Sequence, residues 1–331
     1  MRSILIPTTS LRVSRIGFGT AGLTALNDRR SAVRLLNAAF DAGVTHYDTA
    51  RLYGLGHAEA IVGEFLAGKR ESVTLASKFG LQPPGGIATN ARLVSIAKKL
   101  LKRVPAVARR VRSRAQPFVA TSAFTAEAAA RSLEKSLSEL RTDRLDLLML
   151  HECTLADASQ DALLGFLEVQ LARGTVCEIG IATAAENLQG DARLFPTQYR
   201  IVQMQNNVLD DQIARIAGLA DRGLITHSAL RPLGAIEAVL AGNEALARSW
   251  MSEIGIDLRD GTALARLLLG HALAQNPDGS VLFATTRLQR VLPTLTGVDD
   301  PALAVAAAKF ARLARDLIPL QSSPRSASRP A

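Results

Sequence analysis

Four short apolar stretches of this 331-residue chain end in residues able to hold or move a proton. They are Asp48 and Tyr53 in "THYDTARLYG", Lys78 in "VTLASK" and His151 in "LDLLMLH". A tyrosine with its ordinary pKa near 10 is a poor acid at neutral pH unless something stabilises its phenolate. A protonated lysine within hydrogen-bond reach does so, and Lys78 is the candidate. Burial tends to strip a lysine of its proton, so a carboxylate must hold the charge, and Asp48 is available. His151 can donate to a carbonyl oxygen. Together the four suit proton delivery to a carbonyl oxygen as hydride reaches its carbon, which is reversible carbonyl reduction.

Singly, each of these residues reads as readily as a structural hydrogen-bonding group. The chemistry depends on elements that bring them together. Beta-rich runs occur at "RIGFG", "VTHYDT", "SVTLASK", "LDLLMLH", "VCEIGIA", "IVQMQN", "LITHSAL" and "SVLFATT". Most are continuously apolar, which suits parallel strands buried on both faces. Helical patterns lie between them: 31–42, 57–67, 126–140, 160–173, 210–222 and 261–274. Thr125 is a candidate N-cap ahead of Glu127, and Gly43, Gly174 and Gly223 stand where helix-ending glycines are expected. The fifth unit is the weakest, since "AAENLQGDARLF" reads as a short or broken helix. Eight alternating units predict an α/β fold, a single-domain (β/α)8 TIM barrel over residues 1–318, whose sites sit at the carboxyl ends of the strands.

The segments "LRVSRIGFGT", "AFDAGVTHYDTARLYG", "LASKFG", "ARSLEKSLSELRTDRLDLLMLH", "EIGIAT", "IVQMQNNVL" and "ITHSALRPLG" resemble the aldo-keto reductases, from about Leu11 to about Val291. The resemblance implies that Tyr53 is the general acid or base, Lys78 tunes it, Asp48 pairs with Lys78 and His151 orients the carbonyl. It implies a nicotinamide nucleotide bound over the barrel mouth without a Rossmann domain, NADP(H) ahead of NAD(H), and no metal. Gln203 matches the residue that holds the nicotinamide carboxamide, and Thr285 with Arg290 fits the spacing around the adenosine 2′-phosphate. Asp48, Ser228, Leu230 and Thr286 complete the implied cofactor contacts. Four positions depart from the pattern. Ala182 and Thr183 replace a serine and asparagine, His227 replaces the tyrosine that stacks on the nicotinamide, and Ala284 replaces a basic residue that Arg287 could stand in for.

Gly17, Gly19 and Gly22 spell G-x-G-x-x-G, but a dinucleotide fingerprint opens a helix directly after its strand. Here "LTALNDR" intervenes, so the glycines read as a tight first loop that lets backbone at Gly19 and Thr20 approach the cofactor.

The formal charge of +9 is concentrated in one place. Residues 81–125 hold no Asp or Glu and nine basic residues, Arg92, Lys98, Lys99, Lys102, Arg103, Arg109, Arg110, Arg112 and Arg114, which account for all of it. The segment follows Lys78, so it reads as an insertion after the third strand, over the presumed site. Leu93, Ile96, Ala97, Leu100, Leu101 and Val104 recur at helical spacing before Pro105, predicting a basic amphipathic helix. A solvated face or a lid steering anions is favoured over a membrane patch or a docking surface for an acidic partner. Aromatic content of 4% leaves little for base stacking, so no nucleic-acid partner is expected.

Glu152 and Asn206 stand where family members often carry aromatic residues, which favours a polar substrate such as a sugar or hydroxylated aldehyde. "YGLGHAE" is similar to aldose-dehydrogenase-like members. Cys153 and Cys177 are too few for a disulfide framework, and Cys153 lies close enough to His151 to line the pocket. Neither a secretory signal nor a membrane-spanning apolar run is read from the sequence, so a cytoplasmic enzyme without stable membrane association is expected. Residues 319–331 are Ser, Pro and Arg rich and expected to be disordered. The expected function is an oxidoreductase of a carbonyl, aldehyde, ketone or sugar. The alternative is a nucleotide-sensing regulatory subunit with negligible turnover, and a third reading is a basic scaffold that binds no nucleotide.

Overall fold

A computed structural model describes residues 1–26, 28–82 and 121–317. An N-terminal antiparallel hairpin, β1 (Ser3–Leu5) and β2 (Arg12–Ser14), precedes a closed barrel. The barrel strands are β3 (Ile16–Gly19), β4 (His46–Asp48), β5 (Thr74–Phe79), β8 (Leu145–His151), β9 (Val176–Ala182), β10 (Ile201–Gln205), β11 (Gly223–His227) and β12 (Ser280–Phe283). All eight pair in parallel, and β12 closes against β3. The short β6 (Leu81–Gln82) and β7 (Thr121–Ser122) pair antiparallel across the two ends of the basic segment. The basic residues of that segment and its predicted amphipathic helix lie outside the described residues, as does the 319–331 tail.

The continuous apolar runs are explained by burial on both sides. In β8, Leu147 and Met149 point into the barrel, while Leu148 and Leu150 pack outward among the helices. The hairpin's Ile4, Ile6, Leu11 and Val13 join Ala76, Ile201, Ile225 and Leu282 in the same inner cluster, so the hairpin plugs one end of the barrel. Strand alternation then fixes what happens at the other end. Two residues beyond Ala76, Met149, Ile201 and Ile225 stand Lys78, His151, Gln203 and His227. Tyr47 faces the outer core, which leaves Asp48 facing inward. Five polar side chains therefore gather at one mouth, Asp48, Lys78, His151 and His227 as the last inward-facing residues of their strands and Gln203 one inward step before the end of β10.

Several helices begin and end as the sequence implies. Thr125 accepts from the Ala128 amide at 3.2 Å at the start of helix Ala126–Leu140, and Gly174, with φ of 72°, ends helix Asp161–Arg173. Helix Arg29–Asp41 begins two residues before the expected Ser31, because the Asp28 carboxylate accepts from the Ser31 amide at 2.7 Å. The fifth unit is broken, with single turns at Ala185–Leu188 and Ala192–Leu194.

One expectation fails. Residues 210–222 form no helix but two short turns, Ile213–Arg215 and Leu219–Asp221. The Asn206 side-chain oxygen takes the amides of Gln212 and Ile213 at 2.8 and 3.2 Å, and Gly218 turns left-handed with φ of 71°. The Arg222 guanidinium is spent on the carbonyls of Ala192, Phe195 and Pro196, so Gly223 opens β11 rather than ending a helix. Helices Leu233–Gly242, Glu244–Ile254, Gly261–Gln275 and Pro301–Leu317 bury Ile236, Trp250, Leu268 and Phe310 in a second apolar cluster. Among the described residues no helix is long and apolar enough to cross a membrane.

Helix His57–Phe65, which follows Tyr53, crosses the end of helix Ala126–Leu140 at Gly63. A Cβ there would lie 2.3 Å from the Glu139 carbonyl oxygen and 2.9 Å from the Leu140 Cα, both backbone atoms. Gly63→Ala is expected to destabilise the fold by about 1–3 kcal/mol through overpacking, measured by urea unfolding.

Candidate active site

Asp48, Lys78 and Tyr53 form a connected cluster at the barrel mouth. The Lys78 ammonium donates to Asp48 Oδ1 at 2.5 Å, to the Thr49 carbonyl at 3.1 Å and to the Tyr53 hydroxyl at 3.2 Å. The ammonium also lies 4.8 Å from the centroid of the Tyr53 ring. His151 meets that ring edge-on, with centroids 5.8 Å apart. Gln203 donates its amide N–H to Asp48 Oδ2 at 2.8 Å, so Asp48 is held by two partners and the Gln203 carbonyl oxygen is left for another group.

Burial dominates the electrostatics, and one cation corrects it. Burial pushes the Lys78 ammonium down, but the Asp48 and Tyr53 oxygens outweigh it and hold the group above its ordinary value. Burial pushes the Tyr53 phenol up, while Lys78 pulls it back. Burial, aided by Lys78, holds His151 down to about 3 and His227 down to about 4. Both histidines are therefore neutral at pH 7. As neutral imidazole, His151 can donate one N–H without competing as an acid, and its Nδ1 has no partner among the described residues.

A cavity of about 350 Å3 opens beside the cluster. Of the residues expected at the cofactor, Gly19, Asp48, Gln203, His227, Ser228 and Leu230 line it, together with Tyr53. Thr20 stands between the lining residues Gly19 and Ala21, fully buried, with a hydroxyl that has no partner among the described residues. Thr285, Thr286, Arg287 and Arg290 lie beyond the cavity on the loop after β12, where both arginines are exposed and neither pairs with a described carboxylate. Ser228, with φ of 69°, and Glu152, with φ of 58°, hold left-handed backbone at the mouth, a conformation that non-glycine residues adopt at a cost.

Three expectations are corrected or extended. Cys153 does not line the cavity: it is wholly buried in the outer core with Ala158 and Leu163, and burial pushes its thiol up to about 12. Asn206 is no cavity wall either, since its oxygen is committed to the Gln212 and Ile213 amides. Arg231 lines the cavity and donates to the Gln205 side-chain oxygen at 3.0 Å, yet it is missing from the sequence expectations. Its charge immediately after "SAL" was the available signal.

A model of the aldo/keto reductase family matches residues 15–235, two thirds of the chain. The chain belongs to the aldo/keto reductase family. That family is one of oxidoreductases. The chain is 25% identical over 315 residues to an uncharacterized oxidoreductase, YqkF, of Bacillus subtilis, covering 88% of this chain and 89% of that one. It is 33% identical over 187 residues to a D-threo-aldose 1-dehydrogenase of Pseudomonas sp, spanning about half of each protein, 52% and 51%. Its fold is like that of an aldo-keto reductase from Klebsiella pneumoniae solved in complex with NADPH, with a TM-score of 0.65, 20% identity and 99% of both chains covered.

The mouth of this aldo/keto reductase fits a nicotinamide nucleotide. Among the described residues neither the buried Thr20 hydroxyl nor the Gln203 carbonyl oxygen has a hydrogen-bond partner, Arg231 lines the cavity, and the exposed Arg287 and Arg290 add positive charge on the loop after β12. No group of three or more metal-binding side chains occurs among the described residues.

Proposed function

We propose that this protein interconverts an aldehyde, ketone or sugar carbonyl and the corresponding alcohol with NADP(H), Tyr53 serving as general acid or base. The observation that carries this reading is the Lys78 ammonium, 3.2 Å from the Tyr53 hydroxyl while fixed by Asp48 at 2.5 Å, against an open cavity. When bound, the nicotinamide supplies or accepts the hydride. In reduction Tyr53 gives its proton to the carbonyl oxygen, and Lys78 stabilises the tyrosinate left behind. His151 donates an N–H to the same oxygen and fixes its direction. In oxidation the tyrosinate takes the alcohol proton instead.

Gln203 presents its free oxygen to the carboxamide, because Asp48 holds its N–H group. Arg231, which lines the cavity, would meet the pyrophosphate, and Arg287 and Arg290 would meet the 2′-phosphate. The exposed Glu152, whose carboxyl is pushed up by partial desolvation, adds a polar group near Tyr53 and favours a hydroxylated substrate. The similarity to an enzyme named for D-threo-aldoses puts aldoses first on the panel.

The test is nicotinamide absorbance against time, with both nucleotides in both redox states, over aldehydes, ketones and aldoses. Turnover establishes the reading; nucleotide binding without turnover replaces it with a nucleotide-sensing role. Replacing Arg287 and Arg290 by alanine is expected to weaken NADP(H) binding roughly tenfold for each guanidinium lost and to leave NAD(H) nearly unchanged, read by fluorescence titration. Equal weakening of both nucleotides would show that these arginines do not read the 2′-phosphate.

A further inference from the structure

Glu59 lies outside the barrel, in the first turn of helix His57–Phe65, yet its side chain is fully buried. Its two oxygens are used in different directions. Oε2 pairs with the Arg51 guanidinium, and Oε1 accepts from the Ser77 hydroxyl at 2.6 Å. Arg51 stands two residues before Tyr53, and Ser77 immediately precedes Lys78 on β5. Strand alternation puts Ser77 outward where Lys78 points inward, so the carboxylate grips from behind the two backbone segments whose front side chains meet at the site. Backbone bonds run along the same seam: the Thr49 amide donates to the Ala76 carbonyl at 2.9 Å and the Arg51 amide to the Lys78 carbonyl at 3.4 Å.

A buried carboxylate shared between an arginine and a serine is a poor choice if stability alone is served, since apolar packing often does as well. What it adds is register. We infer that Glu59 is a positioning residue: through Arg51 and Ser77 it fixes the segment carrying Tyr53 against the strand carrying Lys78, and so sets the reach between the tyrosine hydroxyl and the ammonium. The inference rests on the assignment of Tyr53 and Lys78 above.

The chain offers a readout that needs no substrate. It has three tyrosines; Tyr47 and Tyr199 are buried in the core with their phenols pushed far up, whereas Tyr53 is only partly buried and has the Lys78 ammonium at its hydroxyl, so the first tyrosinate to form on alkaline titration is expected to be that of Tyr53. The experiment follows tyrosinate absorbance against pH in the full chain, in Tyr53→Phe, in Glu59→Gln and in Ser77→Ala, alongside kcat for alcohol oxidation and nucleotide affinity. Loss of the earliest step in Tyr53→Phe assigns it. In Glu59→Gln that step is expected to move up by roughly one pH unit, as Tyr53 loses the pull of Lys78, with kcat at neutral pH down about tenfold and nucleotide affinity within about twofold. Ser77→Ala keeps the Arg51–Glu59 pair and is expected to shift the step in the same direction by less, which decides the matter if Glu59→Gln fails to fold. A folded Glu59→Gln whose earliest step stays put or moves down overturns the inference and leaves Glu59 a structural brace. A titration that shifts as expected in a protein with no turnover on any substrate would keep the coupling and discard the proposed activity instead.

Discussion

Tyr53→Phe is expected to lower carbonyl reduction by about a hundred- to ten-thousand-fold at neutral pH, the range over which a positioned general acid contributes. The substitution removes one atom. The phenyl ring keeps its edge-on contact with His151 and its place under the Lys78 ammonium. Lys78 keeps its bonds to Asp48 and Thr49, so the fold should lose no more than about 1 kcal/mol for the missing hydroxyl. Nucleotide affinity should stay within about twofold, which places the loss in kcat rather than in binding. Steady-state kinetics with fluorescence titration of the nucleotide checks both. Activity within tenfold of the native protein would reduce Tyr53 to a wall of the cavity and move the proton to another group.

The barrel was legible in the sequence because parallel strands buried on both faces have a signature that little else shares. All eight runs read as strands pair in the barrel, from "RIGFG" in β3 to "SVLFATT" in β12. Helix 210–222 was misread for a local reason. Its apolar residues recur at helical spacing, but Asn206, four residues upstream, captures two of the amides a first turn would leave free. Nothing in a window over 210–222 reveals that competitor. Arg222 likewise reads as a solvated helix end, and it is instead bonded to carbonyls from the preceding connection.

The grouping of Asp48, Lys78 and His151 followed from residue type and place in the strand, since the last inward position of each strand must face its neighbours across the mouth, and Tyr53 joined them from the short turn that follows β4 through its resemblance to the family motif. Residues that act from loops or from behind follow no such rule. Arg231 belongs to a turn whose direction depends on the left-handed backbone at Ser228, which a serine does not advertise. Glu59 sits in a helix whose other buried residues are apolar, and an acidic residue there, like Glu64, reads as solvent-facing. Its burial becomes evident only once the loop returning from Asp48 lays Arg51 against it.

Lys78→Met should be the most damaging single change, because it strikes catalysis and folding together. Asp48 is about 1% exposed, and without the ammonium its Oδ1 faces no cation, although Gln203 still bonds Oδ2. Breaking a buried pair from one side costs about 3–5 kcal/mol, so a marked fall in urea midpoint is expected. Adding Asp48→Asn to Lys78→Met should recover part of that stability, since no charge is then left buried, and recover none of the activity. The two reaction directions should separate. Burial already pushes the Tyr53 phenol up, and Lys78 is what pulls it down. Removing Lys78 therefore moves the tyrosine's ionisation to higher pH, where the tyrosinate needed for alcohol oxidation forms too late. Reduction uses the protonated phenol, which is present at neutral pH in either protein, so it should fall less than oxidation does. A pH series of kcat in both directions tests this, and an equal loss in both at every pH would show that Lys78 places Tyr53 without tuning it.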